Sequence, residues 1–264
     1  MKFDMHCHTK EGSIDAKVDI ETYIKTLISK GFDGMLVTDH NSYRGYEKWK
    51  QIADTVKTSR PFTVLKGIEY DTRDGGHIIA ILPEDVQCKL LEIRGMTVRQ
   101  LEKIVHQLGG ILGPAHPFDT GYYALMNTRA EKKDHQLIHK FDFIETFNAC
   151  AKPLANAKAR LLAIHYQKPH FAGSDAHKMH IIGNAFTSFD TTIRTNDDLI
   201  KAVKAKATTF TGGDVFATME KKVNIILEKL GIVGYWIYNR LGAFVNGHRR
   251  KRELRKFHIH FAHK

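Results

Sequence analysis

Lys2-Phe3-Asp4-Met5-His6-Cys7-His8 decides the reading of this chain. The run has the make-up of a short strand, with two imidazoles two positions apart near its end. Side chains alternate along a strand, so His6 and His8 share a face and reach one point, while Cys7 turns the other way, into the core. A lone His-x-His is a weak signal, equally at home on a protein surface. Its weight depends on whether later segments send further ligands to the same place.

Working outward, helical and strand-like segments alternate. Val18 to Lys30 has Ile20, Ile24, Leu27 and Ile28 on one side and predicts a helix closed by Gly31. Met35 to Thr38 is a buried strand followed by Asp39-His40-Asn41, and Ser42 is placed to cap a helix running to about Lys57. Phe62 to Ile68 predicts a strand ending at Glu69, and His77 to Leu82 another that opens on a histidine. Thr97 to Leu108 is an amphipathic helix stopped by Gly109-Gly110, and Ile111 to Ala115 leads into His116-Pro117. A helix is expected over Asn127 to Lys140, a strand over Phe141 to Phe147, a helix over Pro153 to Tyr166 and a short strand over Pro169 to Ala172. Gly173-Ser174-Asp175-Ala176-His177 follows. Asn184 to Phe189 and Ala207 to Thr211 read as late strands around a helix near Asp197 to Lys206.

This alternation predicts a parallel α/β architecture, either an open doubly wound sheet or a closed barrel. Ligand-type residues recur at the C-terminal ends of separate strands. Barrel active sites are built on that face, so the barrel is favoured.

With 264 residues the chain is long enough for one large barrel-type domain or two small ones, and 42% apolar with 26% charged residues is ordinary for a soluble globular protein. The N-terminal residues do not read as a signal peptide, and no run of about 18 apolar residues predicts a membrane span. Cys7, Cys88 and Cys150 are far apart and odd in number, which speaks against a disulfide framework or a Cys-x-x-Cys zinc site and for a reducing cytoplasm. The net charge of +11 is uneven. Residues 219–264 hold 11 Lys/Arg against 3 Asp/Glu, a surplus of +8, which leaves 29 against 26, or +3, for residues 1–218.

The candidate ligands are His6, His8, Asp15, His40, Glu69, His77, His116, Asp175 and His177. Six imidazoles and three carboxylates form an N/O donor set suited to zinc, manganese or iron. Any one of them alone is equally compatible with a surface or capping role, and Asp39 beside His40 is placed to orient the turn. Nine at one end of an expected barrel are not readily a coincidence.

Asp4-Met5-His6-Cys7-His8, Thr38-Asp39-His40-Asn41, Gly67-Ile68-Glu69, Ala115-His116-Pro117 and Gly173-Ser174-Asp175-Ala176-His177 resemble the motifs of the polymerase and histidinol phosphatase (PHP) superfamily. The resemblance covers about residues 1–215. It implies a distorted (β/α)7 TIM-like barrel holding two or three divalent ions (Mn, Zn or Fe); residues 216–264, beyond it, read from their own charge and spacing as a basic helical extension. It further implies that His6, His8, Glu69 and Asp175 ligate a first metal, that Glu69 bridges to a second completed by His77 and His116, and that Asp15, His40 and His177 hold a third. His77 follows Glu69 by eight residues, as in the short phosphoesterase members. The nucleophile implied is a metal-bridging hydroxide held by Glu69, Asp175 and His116.

Charge agrees with a phosphate ester as substrate. Three carboxylates contribute −3 against +6 for three divalent ions, and a phosphate dianion plus a hydroxide nearly cancels the remainder. Closely spaced ions acidify water and clamp a phosphoryl group, so neither Ser nor Cys is needed as nucleophile. Asn41, Arg44, Arg73, Asn148 and Lys178 flank the motifs and are the candidates for binding substrate.

In the tail, Met219 to Leu230 carries Val223, Ile226, Leu227 and Leu230 at helical spacing, expected to pack on the barrel. Gly231 to Val245 is apolar and aromatic but interrupted by Asn239 and Arg240, and Arg249-Arg250-Lys251-Arg252 follows. Besides a solvated end, two roles are open: contact with a nucleic-acid backbone, which fits a phosphoesterase better, and an interfacial membrane anchor. The leading expectation is a metal-dependent phosphoesterase acting on nucleotides or short nucleic acids, of 5′→3′ exonuclease or nucleotide-bisphosphate phosphatase type. The alternatives are a small-metabolite phosphatase, such as a histidinol phosphate phosphatase, and a non-catalytic accessory module for nucleic acid or a polymerase.

Overall fold

The structure is a computed structural model that describes residues 1–56, 58–120, 123–134, 136–207, 209–215 and 225–257. Strand β1 (Lys2–Cys7) lies at the centre of the largest sheet. It pairs in parallel with β2 (Gly34–Val37), which pairs in parallel with β3 (Thr63–Lys66). Helix α1 (Ile20–Ser29) makes the first crossover. Asp19 caps it by accepting the Thr22 N–H, and Ile20, Tyr23, Ile24 and Leu27 form its buried stripe. Helix α2 (Arg44–Ile52) makes the second. It begins two residues after Ser42, whose Oγ accepts the Arg44 N–H at 3.2 Å; Lys57 lies outside the described residues.

The expected single strand over Phe62 to Ile68 is instead two. At Gly67 the chain leaves β3 and enters β4 (Ile68–Asp71), which belongs to another sheet. There β4, β5 (His77–Ile81) and β6 (Ile111–Pro114) run antiparallel. Only residues 72–76 join β4 to β5, far short of the dozen or more that a parallel crossover requires. Helix α3 (Val98–Gln107), started by a Thr97–Gln100 capping box, precedes β6. The third sheet holds β7 (Ile144–Asn148) and β8 (His170–Gly173), parallel and joined by α5 (Pro153–His165), which follows the short α4 (Arg129–Lys133). Strands β9 (Ala185–Phe189) and β10 (Thr209–Gly213) return antiparallel beside β1, with α6 (Asn196–Lys204) between them.

The all-parallel closed barrel is thus corrected. Among the described residues the backbone ladders form three sheets of mixed direction. Their inner faces still share one core, in which Phe3, Leu36, Leu65, Ile79, Ile111 and Phe171 meet. Single bridges from Cys7 to Ala176 and from His40 to Glu69 span the gaps between sheets.

Two further expectations change. The helix over Asn127 to Lys140 shrinks to α4 and a 3-10 turn on either side, because only Leu137 and Ile138 near its end offer an apolar face. The two tail segments become one long helix, α7 (Ile225–Val245), followed by α8 (Gly247–Arg255); positions 219–224, including Val223, lie outside the described residues. Leu230, expected on the packed face, is 61% exposed. The tail is anchored elsewhere. Leu254 and Phe257 pack on the core, and Arg250 Nη1 donates to the Arg94 and Ala243 carbonyls. No helix among the described residues is long and apolar enough to cross a membrane.

Candidate metal centre

The nine candidate ligands converge at one end of the shared core. β1 delivers His6, and the chain just beyond it delivers His8; Cys7 between them is buried in an apolar cluster with its thiol toward the Asp4 carbonyl. His40 follows β2, Glu69 sits in β4, His77 opens β5, and His116 follows β6. Asp175 and His177 follow β8. Gly173 permits the approach of β8 to β1, since a β-carbon there would overlap the His6 Cβ and backbone nitrogen.

The first group has the dimensions of a ligand shell. His6 Nε2 and His8 Nε2 are 3.0 Å apart. Glu69 Oε2 lies 3.4 and 3.3 Å from them, and Asp175 Oδ1 lies 3.6 and 3.1 Å from them. Four donors about 2.0–2.1 Å from a common centre are separated by about 3.3–3.4 Å in a tetrahedron and about 3.0 Å along octahedral edges. Hydrogen bonding fixes the tautomers. His6 Nδ1 is 2.8 Å from Glu145 Oε1. His8 Nδ1 is 3.1 Å from Ser13 Oγ, whose own proton goes to Asp39 Oδ1 at 2.9 Å. With both Nδ1 atoms engaged as donors, the two Nε2 lone pairs point at each other, an arrangement that only a shared cation or a proton relieves.

Glu69 joins this group to the next. Its Oε1 lies 3.0 Å from His77 Nδ1 and 3.2 Å from His116 Nε2. A third group forms around His40 and His177, whose rings flank His8 at centroid distances of 4.6 and 4.2 Å. Asp15 Oδ2 reaches His177 Nε2 at 3.3 Å and His40 Nε2 at 3.9 Å, and with its side chain 51% exposed it is the most open of the nine. The donor types and spacings fit divalent ions, and four overlapping sets of three can be drawn from these residues and Asp71.

Several contributors went unnoticed in the sequence. Glu145 orients His6 and also accepts the His116 N–H at 2.5 Å. Asp71, two residues after Glu69 on the same face of β4, brings Oδ1 to 3.5 Å from His40 Nδ1 and 3.4 Å from His77 Nε2. Asp39 does orient its turn, by accepting from the Thr9 N–H, the Thr9 hydroxyl and Ser13. His116, Asp175 and Asn41 adopt positive φ values of 28°, 52° and 47°. Left-handed backbone is unfavourable for side-chain-bearing residues, so its concentration here marks geometry held by the surroundings. The Asp175 N–H, for one, is tied to the His6 carbonyl at 2.9 Å.

In the metal-free protein the groups share protons. Burial alone would raise Glu69, but the charges of His77, His6 and His40 hold it well below the usual carboxylate range. Burial likewise opposes charge on His116, yet its hydrogen bond to Glu69 and that carboxylate's charge lift it to about 9. Asp71 falls to about 2 despite its burial, through its hydrogen bond with His40 and the charges around it.

The five flanking candidates divide. Asn41 and Asn148 are buried and committed to carboxylates: Asn41 Nδ2 donates to Asp71 at 2.7 Å, and Asn148 Nδ2 donates to Asp175 at 3.1 Å and Glu145 at 3.2 Å. Arg44 and Lys178 are exposed at the starts of α2 and of a 3-10 turn. Arg73 lines a cavity of about 540 Å³ that reaches Asp71.

Comparison with known proteins agrees with this arrangement. An uncharacterized protein of Methanocaldococcus jannaschii is 27% identical over 160 residues, covering 56% of this chain and 82% of that protein. Among solved structures, PsfC from Pseudomonas syringae has a TM-score of 0.60 at 19% identity, over 90% of this chain and 97% of that one. Endonuclease Q, solved with a 27-mer duplex substrate carrying an abasic lesion at the active site, has a TM-score of 0.57 at 17% identity, over 81% of this chain and 58% of that one. At these identities the structural likeness is one of fold. The PHP domain profile matches residues 4–152 and the PHP-associated profile matches 153–208. With the profile spanning more than half its length and four of its motif segments meeting in one cluster, the chain belongs to the PHP domain family.

Proposed function

We propose that this protein is a metal-dependent phosphoesterase that hydrolyses phosphate esters of nucleotides or short nucleic acids, as a 5′→3′ exonuclease or a nucleotide-bisphosphate phosphatase. The observation that carries the reading is the convergence of His6, His8 and Asp175, with Glu69 Oε2 within 3.4 Å of both imidazoles and its Oε1 turned to His77 and His116. Divalent ions (Mn, Zn or Fe) bound there supply Lewis acidity toward water and toward a phosphoryl group.

The chain's own residues do the rest. Glu69 spans two ligand groups and fixes their separation. Asn148 holds Asp175, while Ser13 and Asp39 hold His8. Glu69, Asp175 and His116 border the place where the attacking water is held. Asp15, His40 and His177 complete a third, more open group, and Arg73 offers a charge to substrate at the mouth.

The complete ligand set disfavours a non-catalytic accessory role. Residues 1–215 are taken as the phosphoesterase unit and 216–264 as its extension. Three free cysteines fit a cytoplasmic setting.

The test is hydrolysis, with added manganese, of a 5′-phosphorylated oligoribonucleotide, a nucleoside 3′,5′-bisphosphate and histidinol phosphate. Turnover of the first or second, lost in Asp175→Ala and His116→Ala, is expected. No turnover of any substrate by protein shown to hold metal defeats the enzyme reading.

A further inference from the structure

The cavity beside Asp71 has a wall that the ligand cluster does not explain. One side is the β4–β5 turn with Asp71 and Arg73; the other is the tail helix, through Trp236, Asn239, Arg240 and Ala243. Helix α7 is held in that position by Arg94. The Arg94 guanidinium lies 4.2 Å from the Tyr238 ring centre, Nη1 donates to Asn239 Oδ1 at 3.2 Å, and Nη2 is 3.6 Å from Asp71 Oδ2. One arginine thus ties the tail helix to a carboxylate that itself borders His40 and His77.

Trp236 is 45% exposed, and the Arg240 guanidinium lies 5.0 Å from its ring centre. Among the described residues neither Arg73 nor Arg240 is within ion-pair distance of a carboxylate. The cavity therefore offers an indole plane and two arginines, Arg73 and Arg240, alongside the carboxylates of Asp71 and Asp74, next to a cluster suited to phosphate chemistry. Aromatic and guanidinium planes stack nucleobases irrespective of sequence, and arginine takes phosphate oxygens. A volume of about 540 Å³ lies within the range of small-molecule sites.

We propose that this cavity is a nucleobase subsite, in which Trp236 stacks a base of the substrate while Arg73 and Arg240 hold flanking phosphates. The tail helix is then part of substrate recognition rather than an appended basic end. The inference rests on the phosphoesterase reading and adds to it where a base of the substrate is held and by which residues.

The chain has two tryptophans, Trp49 and Trp236. A full-length Trp49→Phe protein reports on Trp236 alone by its emission. Titration with adenosine 5′-monophosphate is expected to quench that emission, and ribose 5-phosphate is not. Absence of quenching by the nucleotide, or equal quenching by both, overturns the proposal. In the manganese-loaded full chain, Trp236→Leu is expected to raise KM for an oligoribonucleotide about 10- to 100-fold, against a much smaller change for an abasic counterpart. Arg240→Gln raises KM for both. A uniform effect of Trp236→Leu on both substrates counts against base stacking. If nothing is hydrolysed but base-selective quenching persists, the phosphoesterase reading fails and the base subsite stands.

Discussion

Glu145 Oε1 sits 2.8 Å from His6 Nδ1, and its Oε2 accepts the His116 backbone N–H, so one buried carboxylate sets the position of ligands from two groups. Such outer carboxylates fix the imidazole tautomer and raise its basicity. Glu145→Gln keeps the shape and loses the charge. The expected outcome is an affinity for Mn²⁺ or Zn²⁺ about 10- to 100-fold weaker, read by competition with a fluorescent chelator. Unchanged affinity means that Glu145 serves packing alone.

Glu145 also shows where sequence reading stops short. The nine candidate ligands were legible because most are ligand-type residues at or just beyond an expected strand end and match the motifs quoted above. Glu145 lies within Phe143-Ile144-Glu145-Thr146-Phe147 and reads as a strand residue; the available signal was a charge in an apolar run, which burial tolerates only with a partner. Asp71 carried a plainer signal, because alternation along β4 puts it on the same face as Glu69. The break at Gly67 was not legible, since a single glycine does not announce a change of sheet. Nor was the tail's role. Tyr238 and Asn239 meet Arg94 across more than half the chain, and no local pattern encodes that contact.

Gly173 is where β8 comes against β1, and the space there is taken by the His6 backbone and Cβ. Gly173→Ala forces either strand to move. A loss of about 1–3 kcal/mol in chemical denaturation is expected. Because His6 and Asp175 flank the contact, metal affinity should fall with it. A variant as stable as the parent and equally able to bind metal would show that the strands shift freely, against the close approach seen here.

Metal loading should expel protons. Against the opposing effect of burial, neighbouring carboxylates raise His6, His8, His40 and His177 above their ordinary 6.5, and His116 reaches about 9. At neutral pH the metal-free site therefore holds protons that ligation must remove. Calorimetric titration with Zn²⁺ in buffers of different ionisation enthalpy should show roughly one or more protons released per ion, with affinity rising as pH rises. A binding enthalpy independent of buffer contradicts the protonated cluster.

Away from the site, His106 pins α3 to the start of the third sheet. Its Nε2 is 2.9 Å from Asp142 Oδ2, which also accepts the Leu112 N–H at 2.9 Å, and Nδ1 is 3.4 Å from Glu102. The hydrogen bond to Asp142 raises the His106 pKa above 6.5 against partial burial, with the charges of Asp142 and Glu102 adding to the rise. A group bound more tightly to its proton when folded stabilises the fold fully below its unfolded pKa, and that contribution fades as pH climbs through the folded value. The parent should therefore exceed His106→Asn most at about pH 5.5, by roughly 0.5–1 kcal/mol given the partial exposure of the pair. The difference should shrink as pH climbs through the folded value, leaving what the neutral imidazole's hydrogen bond contributes. Urea denaturation of the two proteins across this range measures it. A gap that widens with pH would mean that neutral His106 is the stabilising form and that Asp142 acts on Leu112 alone.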